Sequence, residues 1–223
     1  MEQAAKLKPL RCAIANQDMS FTAFLLAAVV LAISPGPGIA YVVARTVAGG
    51  RAEGLASCAG TAIGGMVHVI AAAAGLSVVV AQSAFAFTTI KLLGAAYLIF
   101  LGVRMLLKSG SASAVDPAPL RGIRSAIREG AIVEALNVKT ALFFLAFLPQ
   151  FVDVGQPVAQ QVLMLGVICI GLNTAADVVA VLAANRILAT GIVRSARARL
   201  LERCSAVTMI GLGVLLAAAR RQP

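Results

Sequence analysis

Long apolar runs alternate with short polar gaps along this chain, and the run lengths set the first expectation. Phe21 to Ala44 holds no Asp, Glu, Lys or Arg. As a helix, those residues extend about 36 Å, enough to cross a hydrocarbon core of about 30 Å. From Gly54 to Ile90 no acidic or basic residue except His68 occurs. That run is too long for one crossing and is predicted to divide near Gln82-Ser83. The pattern as a whole predicts six spans, at about 21–44, 55–81, 85–107, 131–151, 159–184 and 204–219. The fold class is all-α, a polytopic membrane protein. Before the spans stands a polar extension, 1–18, with no apolar core of signal-peptide length. Met19, directly before the first span, is a candidate start, and the transmembrane domain is read as 19–223. The main gaps are a polar connector at 108–130, the only candidate hinge, a turn at 153–157 and a basic loop at 186–203. Three spans, a connector and three more invite a reading as two inverted three-helix repeats, the arrangement used for alternating access.

The first span should be regular and is not. Ser34-Pro35-Gly36-Pro37-Gly38 lies in its middle. Pro35 and Pro37 lack the N–H of an interior helical residue, and their rings crowd the carbonyl four residues before, so the ladder must open between Leu31 and Gly38. In lipid, freed backbone groups cost several kcal/mol each, roughly, unless protein or cavity water satisfies them. A broken span therefore belongs in a bundle interior, and its carbonyls and helix ends can meet the charges of a small solute. A kink that only packs is the alternative.

Composition fits a membrane protein: 60% of residues are hydrophobic, mean hydropathy is +0.94 and 13% are charged, against about 25% in soluble domains. The net charge of +10 would raise nucleic-acid binding in a soluble protein. Here no arginine-rich strip is interleaved with exposed aromatics, so nucleic acid is set aside. The basic residues sit mostly in the gaps. Those after spans one, three and five hold 12 of the 19 Lys and Arg and the opposite side 5, with Lys91 and Lys139 inside spans. The positive-inside rule then places both termini outside. The four cysteines, Cys12, Cys58, Cys169 and Cys204, form no CxxC, and with a single His neither a metal site nor a cofactor is expected.

Chemistry is concentrated in spans four, five and two. Glu134 and Asn137 share a face, as do Asn137 and Thr140. Lys139 lies about 140° round from Glu134 at 100° per residue, so it needs a carboxylate elsewhere, a carbonyl cluster or an opened helix. An intramembrane lysine marks a pathway by default, and snorkelling to the interface is the alternative. In span five, Asn173 and Thr174 precede Asp177 on one face. A carboxylate in such a stripe can take up and release a proton, as a proton-coupled carrier requires, or it can partner Lys139. In span two, Gly60, Gly64 and His68 follow at four-residue steps, which lets a neighbouring helix approach, either within the chain or in a homodimer. His68 ranks below Asp177 as a proton carrier. Lys91, Gly94, Tyr97 and Gly102 of span three are expected to set depth and packing.

Taken together, Pro35-Gly36-Pro37-Gly38, the Gly60…Gly64…His68 series, Lys91-Leu-Leu-Gly94-Ala-Ala-Tyr97-Leu with Gly102, and Asn137-Val138-Lys139 followed by Phe143-Phe144 and Leu148-Pro149-Gln150-Phe151 resemble the lysine exporter (LysE/RhtB) family. The resemblance runs from Met19 nearly to the end. It implies a multi-pass carrier of the bacterial inner membrane, not an enzyme, that exports amino acids or related metabolites by proton antiport. Carried over by position, it implies that Pro35, Gly36, Pro37, Gly38, Asn137, Lys139 and Asp177 serve the solute and coupling sites. Glu134 and His68 join Asp177 as coupling candidates from the residues themselves. Two positions depart from the family pattern. Gly38 stands where Asn is common, and Val138 stands in a common Asn-Pro-Lys, so span four is expected to break less sharply. The rivals are a membrane thiol-redox conductor, which needs Cys58 and Cys169 to meet, and a metal-ion exporter, which needs His- or acid-rich loops.

Overall fold

A computed structural model describes residues 21–82, 84–108, 122–187 and 191–218; the expectations for 1–18 and for Ser83 lie outside them. All regular structure among the described residues is helical: α1 (Phe21–Ile33), α2 (Pro37–Gln82), α3 (Ala84–Lys108), α4 (Gly122–Ala135), α5 (Val138–Leu142), α6 (Val158–Ile187) and α7 (Gly191–Ala218). α5 continues as a π-helical turn, Phe143–Phe147, and a 3-10 turn, Leu148–Phe151. By length and composition, Pro37–Gly75 and Val158–Ala184 can cross a membrane, and Gly122–Ala135 with Val138–Phe151, bent by 44°, makes a third candidate.

The first span opens where its prolines require. α1 ends at Ile33, Ser34 bends, and α2 begins at Pro37. α2 contains a second discontinuity at Gly50 (φ 76°, ψ −173°), a conformation essentially reserved for glycine. The gap between spans one and two is thus one tight turn between helices 37–49 and 51–82. Two gaps read as polar are helical where they are described, while 109–121 of the connector and 188–190 of the basic loop lie outside the described residues. Residues 122–130 of the connector form the first turns of α4, and the basic stretch of 186–203 is helix from Gly191 onward. Charge marked these segments as outside the apolar core of the membrane, and charge does not exclude helix.

α2 packs against α4 and α6, and α3 against α7. Close approach explains the first pairing: Gly60 faces the Ile127 carbonyl, and Gly64 faces the backbone of Ala131 and Ala135. The Gly60–Gly64 face is therefore covered within the chain. Gly102 faces the Ala206 carbonyl in the second pairing. The core runs through Phe24, Leu31, Val69, Phe144, Leu148, Val162 and Leu216. Large apolar side chains such as Leu26, Ile33, Ile70, Leu93 and Val179 point outward, as a lipid-facing surface requires.

Candidate functional site

Span four breaks at Leu136-Asn137, despite Val138. Asn137 is extended (φ −74°, ψ 104°) and its side chain accepts from the Lys139 amide at 3.1 Å, capping α5. An N-cap asparagine supplies what a proline would otherwise enforce. Its other side-chain group donates to Glu134 Oε2 at 2.9 Å, and Thr140 Oγ1 donates to Glu134 Oε1 at 2.6 Å. Both Glu134 oxygens are thus engaged within span four. Gly38 admits this carboxylate, since a Cβ there would come within 2.6 Å of Glu134 Oε2.

Lys139 resolves among its three options as the carbonyl cluster. Nζ donates to Ser34 O at 2.8 Å and to Leu31 O at 3.1 Å. The Leu31 carbonyl is the one whose helical donor would have been the N–H that Pro35 lacks. Neither Glu134 nor Asp177 forms an ion pair with Lys139, although all three are buried. The reciprocal contact comes from α2. His68 Nε2 lies 2.9 Å from the Glu134 carbonyl, and because a carbonyl only accepts, the imidazole donates. Its ring is stacked on Phe144.

Asp177, 5% exposed, accepts from Thr61 Oγ1 of α2 at 2.8 Å through Oδ2. Its other oxygen accepts no hydrogen bond among the described residues. Asn173 and Thr174 share its face but bond back to the carbonyls of Cys169 and Ile170, so the stripe lines the site without holding the carboxylate. Thr61 was not foreseen, and only its i−3 spacing to Gly64 on the packed face of α2 could have pointed to it.

These groups converge. Gly38, Thr61, Glu134, Asn137, Lys139, Asn173, Thr174 and Asp177 line one cavity of about 20 Å³, room for one or two waters. Pro35, Gly36, Pro37 and His68 are not among the lining residues; Gly36 lies against Lys139 Nζ, and His68 reaches the site through the Glu134 carbonyl. One end of the bundle is tied by Arg45, 0% exposed, whose guanidinium donates to Glu53 Oε2 at 3.2 Å and to Glu129 and Tyr41. Tyr41 donates in turn to the Ala126 carbonyl. The other end is filled by rings: Phe24 against Phe151 with centroids 5.6 Å apart, and Phe151 against Phe147 at 5.4 Å. Cys58 and Cys169 are buried and free. No group of three or more His, Cys, Asp or Glu capable of holding a metal occurs among the described residues.

Interrupted apolar helices around a buried polar cavity define a membrane protein of the solute-carrier class. The chain belongs to the LysE type translocator family, whose model matches residues 29–220. It is 32% identical over 65% of its length, and 70% of the relative's, to the homoserine/homoserine lactone efflux protein of Salmonella typhimurium. It is also similar to two proteins described as uncharacterized membrane proteins. One is from Vibrio cholerae (32% identical; 65% of this chain and 71% of the relative) and the other is YrhP of Bacillus subtilis (34%; 66% and 74%). No solved structure matches.

Proposed function

We propose that this protein is a secondary exporter that moves amino acids or related small metabolites out of the bacterial cytoplasm in exchange for protons. The observation that carries the reading is the cavity between two interrupted spans, into which Asp177 brings one oxygen that accepts no hydrogen bond among the described residues. A solute ammonium and a proton compete for that carboxylate. Proton binding from outside expels the solute, and solute binding from inside releases the proton, so neither travels without the other. Lys139, Asn137 and the carbonyls at Pro35–Gly38 complete the solute site. Glu134, which lines the same cavity, and His68, bonded to its carbonyl, are the further candidates for holding the proton.

In this reading the chain crosses the inner membrane six times as two inverted halves, with both termini outside and the arginine-rich gaps inside. Any homodimer uses a surface other than Gly60–Gly64. The named activity of the Salmonella relative makes homoserine and its lactone the first solutes to try. The test is efflux from vesicles preloaded with a mixed amino-acid pool, with and without a protonophore. Wild type is expected to release particular amino acids in a protonophore-sensitive way, and Asp177→Asn to lose gradient-driven release. Full coupling in Asp177→Asn removes Asp177 from the proton role, and full coupling in Glu134→Gln or His68→Gln removes those candidates.

A further inference from the structure

Lys139 carries an ammonium into the middle of the bundle, 6% exposed, where helix-break carbonyls and not a carboxylate receive it. Three further observations converge on the same spot. Gly36 leaves the passage open, since a Cβ there would lie 3.1 Å from Nζ. Ser34 Oγ, beside the carbonyl that accepts from Nζ, is buried with no hydrogen-bond partner among the described residues. The cavity that Lys139 lines has room for one or two waters, less than homoserine occupies, so a solute of that size enters only if a lining group moves. The break is built as a cradle for an ammonium, and the chain's own side chain fills it.

We propose that Lys139 is a latch opened by the solute: an oxygen acceptor next to the solute's amine draws Nζ away from Leu31 O and Ser34 O, and so releases the break between α1 and α2 from span four. This rests on the exporter reading and adds the rule by which the site accepts a solute. The amine end is received at Asp177. The acceptor, a carboxylate or a lactone carbonyl, is read by Lys139, and an amine without one docks but leaves the break pinned. The exchange is feasible because Nζ trades charge-assisted bonds to backbone carbonyls for a direct ion pair with a carboxylate, or for a like bond to a lactone carbonyl. The Leu31 carbonyl keeps the Ser34 N–H as a donor at 3.3 Å, and the Ser34 hydroxyl three residues later can replace Nζ, a local bond that serine readily makes. Lys139 thus acts as a specificity-determining residue, through the hinge it holds.

The experiment is hydrogen exchange at the Ser34, Gly36 and Gly38 amides of the full chain in lipid nanodiscs. The probes are L-homoserine, L-homoserine lactone and 3-amino-1-propanol, which keeps the amine and hydroxyl of homoserine without its carboxyl group. Homoserine and its lactone are expected to speed exchange at the break about tenfold, and 3-amino-1-propanol to leave it unchanged while competing with homoserine efflux. Lys139→Met is expected to exchange fast without solute and to respond to none. If 3-amino-1-propanol acts as homoserine does, or if Lys139→Met keeps both wild-type protection and wild-type response, the latch is wrong. Should Lys139→Met fail to fold, the comparison of solutes on wild type decides by itself. If no probe changes exchange, the solute-opened latch is overturned, and efflux of the mixed pool shows separately whether the exporter reading falls with it.

Discussion

The two helix breaks reach the same end by different means. At Ser34–Gly36 the interruption is covalent: two prolines remove donors, and no surrounding structure could restore them. At Leu136-Asn137 every residue keeps its N–H, and the helix stops because Asn137 caps a new one and Glu134 gathers Asn137 and Thr140. Each break also borrows a basic side chain from the other region. Lys139 of span four covers the Leu31 carbonyl, and His68 of α2 covers the Glu134 carbonyl. Each carbonyl also accepts a local amide, Leu31 O from the Ser34 N–H at 3.3 Å and Glu134 O from the Asn137 N–H at 3.0 Å, so the borrowed side chain is a second donor that ties one interruption to the other.

That comparison breaks most severely if the regions are pushed apart. Gly64→Leu would drive a side chain into the backbone of Ala131 and Ala135. The expected loss is about 3 kcal/mol or more, seen as loss of folded protein by size-exclusion thermal challenge. Pro35→Ala tests the covalent break. It returns an N–H to compete with Lys139 for the Leu31 carbonyl, and transport is expected to fall about tenfold, ~1.4 kcal/mol in barrier, while the protein remains folded. Initial efflux rates at matched expression check this, and unchanged rates would mean that the break needs no proline. Asn137→Ala tests the other break. Loss of the cap is expected to cost about 1 kcal/mol, lowering the melting temperature of the purified protein by a few degrees.

The smallest effect sharpens the contrast. Val138 is the first residue of α5, where proline is tolerated, and Asn137 before it is already extended. Val138→Pro is therefore expected to change stability by less than ~1 kcal/mol. A larger loss in thermal unfolding would show that the Val138 N–H matters to the break after all.

How much of this was legible in the chain follows from the same physics. The all-helical, apolar character of the chain and the opening at Leu31–Gly38 were readable because transfer energy and proline chemistry are local. The helical turns at 122–130 and the helix from Gly191 were not, because charge reports exposure and not backbone state. With Val138 in place, span four still bends by 44°. A capping side chain does locally what the missing proline would have done, but whether it is used depends on what packs around it.

By itself the sequence determined that this chain lives in a bilayer, that its first span is interrupted, and that Lys139 is on the wrong face of span four to pair with Glu134. Those conclusions follow from transfer energies, covalent geometry and the helical repeat, none of which needs a neighbour. Only the tertiary structure decided that Lys139 turns to the carbonyls of α1, that Thr61 and not Asn173 or Thr174 holds Asp177, and that Gly38 makes room for Glu134. Each is a choice among acceptors brought together by helices far apart in the chain. A buried donor takes whichever acceptor the packing of other helices leaves within reach.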